Sequence, residues 1–286
     1  MIPNLRVIGV PEHFNLPWLE AIEDEKFLAN DILITWADEP GGTGAMCKAL
    51  RDDKADCAVL LTEGIITDIC KGNPARIISG YVVSPLIWGV HTGGDNPLKK
   101  YAKSFGCRYA ISRYGSGSHL MPQVDALTKD TSIPEENYSV VGGLEGALKS
   151  LEAQETDVFY WEKYTTKPYV DSGQLRRIGE FVTPWPCFVI AAREEVIRSR
   201  PQDLRRMLEV IHQECLKFMT DEDSIDRVAS RYGQKKEDVE RWFHRTVWAD
   251  HSMVNPRTIQ NVIYALEKTG IINQGKNHDE LVASVR

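Results

Sequence analysis

Short apolar runs alternate with stretches of helical periodicity through the first third of the chain. Residues 5–10 read as a strand. Asn15 followed by Pro17 is a helix-start signal, because proline lacks only an N–H that the first helical turn leaves unpaired anyway, and the pattern predicts a helix to about Leu28. Residues 32–35 predict a second strand, after which Gly41-Gly42-Thr43-Gly44 opens a helix to about Arg51. Residues 58–61 predict a third strand, and Thr62-Glu63-Gly64 opens a helix to about Lys71. Residues 76–90 are long and β-rich, with a break near Ser84-Pro85. Such a β-α-β-α-β rhythm predicts a parallel sheet with helices on its faces.

The rhythm then repeats. Residues 109–111 predict a strand, Gly115-Ser116-Gly117-Ser118 leads a helix to about Thr128, and residues 138–141, 158–160, 175–178 and 188–192 complete the strand set around a helix over 144–152. The polar segment 92–96, with two glycines before Pro97, reads as a crossover between two lobes. The last third is helical. Leu204, Leu208, Ile211, Cys215 and Phe218 recur at helical steps and give one apolar stripe. A later helix starts at Asn255-Pro256, buries Ile259, Val262, Ile263 and Leu266, and stops at Gly270. Both read as cover for the first lobe, without chemistry of their own.

Composition narrows the function. The 286 residues are 42% hydrophobic and 26% charged, an ordinary globular balance with room for a sizeable core. The formal charge of −7 argues against a sequence-independent grip on nucleic acid phosphates. No apolar run approaches the ~20 residues a membrane span needs. Residues 1–10 show no basic segment followed by a long apolar stretch, so a cytoplasmic location is expected. Cys47, Cys57, Cys70, Cys107, Cys187 and Cys215 include no CxxC pair; they read as free thiols in a reducing compartment, not as a zinc site.

In an open parallel sheet, ligands sit beyond the carboxyl ends of the strands, where loops enter helices. Two such loops here, around Gly42-Thr43 and Ser116-Gly117-Ser118, are rich in Gly, Ser and Thr and run directly into a helix. Unpaired N–H groups and the positive end of the helix dipole make such starts anion sites, to which Thr43, Ser116 and Ser118 can add hydroxyls. The same residues also serve as caps and turn formers. Trp18, Trp36, Trp88, Trp161 and Trp185 fall at or near strand ends or helix starts, where aromatic walls suit a planar or partly apolar ligand. Glu63 and Glu162 lie in the same loops and can hold an amino group or a ring N–H. Catalysis finds less support. The spacing at residues 115–119 is wrong for a nucleophile elbow and too short for a phosphate-binding loop ending in Lys-Ser/Thr, and His13 and His91 stand without a legible partner.

Three segments resemble the type II periplasmic-binding-protein fold, and within it the nitrate/sulfonate/taurine and thiamine-pyrimidine group. Arg51-Asp52-Asp53-Lys54-Ala55-Asp56 with residues 57–62 is similar to that group's turn and strand. Gly106-Cys107-Arg108-Tyr109-Ala110-Ile111 with residues 115–120 is similar to its strand and anion loop. Pro186-Cys187-Phe188-Val189-Ile190-Ala191 with residues 194–211 is similar to its return strand and following helix. The likeness spans roughly residues 5–220. It implies an α/β, two-lobed fold with a helical C-terminal segment, lobe 1 being residues 1–90 and 187–286 and lobe 2 residues 91–186. Fungal thiamine-pyrimidine precursor synthases share the group. Their pyridoxal-phosphate lysine and substrate histidine would fall at about Leu60 and Gly64, and their cysteine-rich iron motif at residues 185–189, where Cys187 is the one thiol. The chain is more similar to a small set of intracellular fungal proteins of the same fold.

The expectation is therefore a solute-type binding protein that traps an anionic ligand (a sulfonate, carboxylate, phosphate or pyrimidine derivative) between lobes closing about a hinge. Ser116, Gly117 and Ser118 would take the anion, opposite Gly42 and Thr43; Trp18, Trp36 and Trp161 would wall the body; Asn15, Glu63 and Glu162 would set orientation. No catalytic residue, cofactor, metal, nucleic acid or membrane partner is assigned. A thiamine-pyrimidine biosynthetic enzyme is the alternative.

Overall fold

A computed structural model describes residues 2–285; Met1 and Arg286, which the expected lobe boundaries include, lie outside the described residues. In chain order the strands are β1 (Asn4–Gly9), β2 (Leu33–Asp38), β3 (Cys57–Leu61), β4 (Ala75–Val82), β5 (Ile87–Gly93), β6 (Tyr109–Ile111), β7 (Tyr138–Val140), β8 (Val158–Glu162), β9 (Leu175–Val182) and β10 (Phe188–Arg193). They form two five-stranded sheets, ordered β2-β1-β3-β10-β4 and β7-β6-β8-β5-β9. β1 runs parallel to β2 and β3, while β10 is antiparallel to β3 and β4. In the second sheet β6 is parallel to β7 and β8, and β5 is antiparallel to β8 and β9. The central strands of the first sheet are largely apolar and buried, as strands covered on both faces must be; Val7 in β1, Val59 in β3 and Ile190 in β10 are all buried.

The chain divides into two compact units. Unit 1 holds the residues up to Pro85, Trp185–Ile263, and those from Gly275 onward; unit 2 holds Leu86–Pro184 and Tyr264–Gln274. The first break falls at Pro85 instead of the expected 90/91, because β5 pairs with β8 and β9 and so belongs wholly to the second sheet. The β-rich stretch 76–90 is thus two strands of different sheets, and segment 92–96 is the end of β5 and its turn. The expected helix to Leu28 stops at Glu23: Glu25 adopts a left-handed φ of 56°, and a separate short helix follows over Lys26–Ala29. Among the helices of eight or more residues, two were not anticipated, Ser224–Tyr232 and Lys236–Phe243. Their polar composition hides narrow stripes, Val228 in one and Val239, Trp242 and Phe243 in the other. Among the described residues no helix is long and apolar enough to cross a membrane.

Each unit closes the far edge of its sheet with the same device. In unit 1 the backbone N–H and Nε of Arg6 donate to Asp56 Oδ2 (2.9 and 3.3 Å), its guanidinium also reaches the carbonyl of Asp53, and Asp56 N donates to Arg6 O. In unit 2 the N–H and Nε of Arg108 donate to Asp157 Oδ2 (3.2 and 2.9 Å), its guanidinium reaches the carbonyl of Gln154, and Asp157 N donates to Arg108 O. Asp53 and Gln154, which precede these aspartates by three residues, both have φ of 55°. This repeated turn enters β3 in one unit and β8 in the other, and it sets which strand ends point to the opposite edge.

Candidate functional site

Unit 1 gathers six of the expected site residues at one edge of its sheet, since β1, β2 and β3 all end there. β1 ends at Gly9, and a Cβ at that position would lie 2.5 Å from the Trp36 ring and 2.8 Å from Asn15 Nδ2, so only glycine lets these two side chains meet over the strand. Asn15 closes a 3-10 turn, His13–Asn15, and its Nδ2 donates to Val10 O at 2.7 Å. That bond fixes Oδ1 as the outward acceptor, and Oδ1 is buried without a partner. Trp36 is half-buried and its Nε1 donates to Asp38 Oδ1. Trp18 does not wall the site as expected. It is fully buried, stacked on Phe27 and packed behind Trp36 and against Tyr81, because it lies on the inward face of helix Leu16–Glu23.

Gly42 starts helix Gly42–Arg51 at a φ of 67°, a conformation that side chains disfavour. Thr43 is buried, and its Oγ1 accepts a hydrogen bond from Leu61 N at 3.2 Å, tying this loop to the end of β3. Glu63 lies in the first turn of helix Thr62–Cys70 and has no exposure. Trp185 Nε1 donates to its Oε2 at 2.9 Å, while Oε1 is buried with no partner. Burial pushes the Glu63 carboxyl up to about 7, against the smaller opposing effects of Trp185 and its own backbone N–H. Trp185 is the neighbour that sequence reading did not attach to the site; it stands 122 residues away, with no local signal of the pairing.

Unit 2 supplies the other five. Between β6 and helix Gly117–Leu127 the chain makes a tight seryl loop. Ser118 Oγ accepts from Ser112 N at 2.9 Å and lies 3.0 Å from Ser116 Oγ, which in turn donates to Arg113 O at 2.7 Å. Following the protons, Ser116 gives its own to Arg113 O, and Ser118 has two acceptors for its own within the loop, Ser116 Oγ and, at 3.3 Å, Ser112 Oγ. Neither hydroxyl proton is left for an anion, contrary to the expected role of these side chains. The N–H groups of Gly117 and Ser118, with no intrahelical acceptor, remain the donors of this helix start.

Glu162 is also committed elsewhere. Its carboxylate accepts from Tyr164 N (3.0 and 2.9 Å), Thr165 N (2.6 Å) and Thr165 Oγ1 (2.8 Å), so it caps its own turn and does not orient a ligand. Burial raises its carboxyl despite these donors. Trp161 is half-buried, stacked on Phe159 at 5.1 Å and packed against the cluster of Ala110, Ala147, Leu148, Leu151 and Leu175.

The fungal enzyme chemistry does not fit. Leu60 is fully buried and apolar, Gly64 has no side chain, and Cys187 is buried with its thiol pushed well up by burial and by Glu63. No residue here can form the lysine bond to pyridoxal phosphate at that strand, and one thiol does not hold iron. Among the described residues no cluster of three metal-ligating side chains occurs.

With the geometry in hand, the chain was compared with known proteins. Residues 88–181 match the model of a family described as Ca3427-like PBP. The conserved CA3427 gene product of Candida albicans, described as defining a new family with the generic periplasmic binding protein fold, superimposes with a TM-score of 0.92 at 25% identity, covering 99% of this chain and 96% of that one. The alkanesulfonate-binding protein SsuA from Xanthomonas axonopodis pv. citri, bound to MOPS, superimposes with a TM-score of 0.80 at 14% identity, covering 98% of each chain. A ligand-binding component of an ABC-type import system from Staphylococcus aureus, with zinc bound, gives 0.75 at 14% identity over 99% and 97%. No curated protein sequence matches.

Proposed function

We propose, for a chain that has the type II periplasmic-binding-protein fold and matches the Ca3427-like model over residues 88–181, that it is a small-molecule binding protein whose ligand carries an anionic group on a planar or apolar body. The observation that supports this most directly is the start of helix Gly117–Leu127. There Ser116 stands at the cap in extended backbone (φ −79°, ψ 165°), and the hydroxyls of the loop have partners within it, so the N–H groups of Gly117 and Ser118 are the donors of the helix start, with the helix dipole behind them. The alkanesulfonate bound by the structurally similar SsuA is an anion of the class such a start would take. Within unit 1, Trp36 has a half-buried aromatic face and Glu63 Oε1 is a buried polar atom without a partner.

Gly117→Pro tests the assignment cleanly. Proline is tolerated at the first helical position, and Ser116 already holds the extended backbone that a residue before proline requires, so the helix keeps its start and loses one donor. Titration with MOPS should show wild-type binding and at least about tenfold weaker binding by the variant, the value of one charge-assisted hydrogen bond. Equal affinity would remove the anion from this loop, and no binding of MOPS or of taurine by the wild type would remove the sulfonate class.

A further inference from the structure

Two buried polar atoms of fixed polarity share one 3-10 turn after β1, and neither has a partner. Asn15 Oδ1 is an acceptor, as shown above. His13 Nε2 is the second; the residue is 2% exposed, and its ring packs between Phe14 and Trp242 at 4.2 Å from each. Its tautomer is set from far along the chain. Trp242 Nε1, which can only donate, donates to Gln234 Oε1 at 3.0 Å. The Gln234 amide is therefore oriented, and its Nε2 donates to His13 Nδ1 at 3.0 Å. A neutral imidazole that accepts at Nδ1 carries its proton on Nε2, so His13 presents a buried N–H donor. Burial keeps the ring neutral, with its protonation pushed down to about 3. Glu63, with its own unpartnered Oε1, stands on the same edge of the sheet: Cys187 feels the charge of both Glu63 and Glu12, the residue before His13.

We infer that the turn His13–Asn15 recognises an amide-like edge of the ligand, with His13 Nε2–H donating to a carbonyl or ring-nitrogen acceptor and Asn15 Oδ1 accepting from the adjacent N–H. Gln234 and Trp242 act as positioning residues that hold the histidine in the donating form. The inference rests on the reading of this protein as a small-molecule binder and adds the polarity of one part of the ligand. It also gives the C-terminal helical segment, expected only to cover the sheet, a role in recognition.

The test uses the whole protein labelled with nitrogen-15 and carbon-13 and long-range proton–nitrogen correlation spectra, the His13 ring being assigned through its own backbone resonances. In the wild type Nδ1 should appear bare and Nε2 protonated. Benzamide, which offers a carbonyl beside an N–H, should move the Nε2 resonance and bind about tenfold more tightly than acetophenone, which keeps the ring and the carbonyl but has no N–H for Asn15. Gln234→Glu cannot donate to Nδ1, so the proton should shift onto Nδ1 and benzamide binding should weaken by a similar factor. A wild-type His13 protonated on Nδ1, or benzamide that leaves its nitrogens unmoved, overturns the inference without any variant having to fold. MOPS in the same sample separates the two readings. A response to MOPS with His13 silent toward benzamide sinks this inference alone, and a benzamide response without one to MOPS sinks the sulfonate reading alone.

Discussion

Replacing Glu63 by glutamine should make the protein more stable, by an amount that grows above about pH 4.5 and levels off above about pH 7. The folded protein holds this carboxyl at about 7, against an ordinary value of 4.5, because the side chain is fully buried with a single hydrogen-bond donor, Trp185, on one oxygen. Each factor of ten in proton affinity is worth about 1.4 kcal/mol, so ionising Glu63 in the folded state costs on the order of 3 kcal/mol more than ionising it in the unfolded chain. The sign follows from proton counting. Below about pH 4 both states carry the proton, and wild type and Glu63→Gln should be equally stable. Between the unfolded and the folded values the unfolded chain alone releases it, so wild-type stability falls as pH rises toward 7 and then levels off. Glutamine keeps an oxygen for Trp185 and has nothing to ionise, so the variant escapes that loss. Urea denaturation of both proteins from about pH 4 to pH 9 measures the difference directly, and thermal midpoints should separate by several degrees at high pH. A difference that stays constant with pH, or a variant less stable throughout, would refute the argument that burial governs this carboxyl. A carboxylate that weakens the fold at neutral pH is what a group retained for ligand contact looks like.

The repeated arginine–aspartate turns should differ in weight. Asp56→Ala removes a 7%-exposed carboxylate that accepts from the backbone N–H, Nε and Nη2 of Arg6 and should cost about 2–3 kcal/mol even though Arg6 and Arg193 both keep Asp53, whereas Asp157→Ala, whose partner Arg108 is half exposed, should cost about 1 kcal/mol, both read from urea midpoints. Although burial alone would raise it, bonds from Arg6 hold Asp56 below the usual carboxylate range, and its contribution should be lost as pH falls through that range. Glu162→Ala leaves Tyr164 N and Thr165 N without their acceptor and should cost about 2–3 kcal/mol with MOPS affinity unchanged, while Glu162→Gln should recover most of the loss; weakened MOPS binding in a folded Glu162→Ala protein would restore Glu162 to the ligand site.

Much of this molecule is legible in one dimension. The helix starts at Gly42, Thr62, Gly117 and Pro256, and the cores of the strands, with β4 and β5 in one run broken near Pro85, follow from local rules, because apolar period and capping chemistry are properties of neighbouring residues. The resemblance carried by residues 51–62, 106–120 and 186–211 extended that reading to the fold itself, which the superposition on the Candida albicans protein bears out. Three-dimensional packing decided the polarity of the site. Glu63 meets Trp185 across 122 residues, and His13 meets Gln234 across 221, so whether each side chain donates, accepts or ionises depends on strands and helices brought together by sheet order. Glu162 and the seryl loop show the converse. Their hydrogen bonds are local, yet a carboxylate or hydroxyl that faces a ligand and one that caps its own turn have the same spelling in sequence, and only the positions of the backbone N–H groups around them tell the two apart.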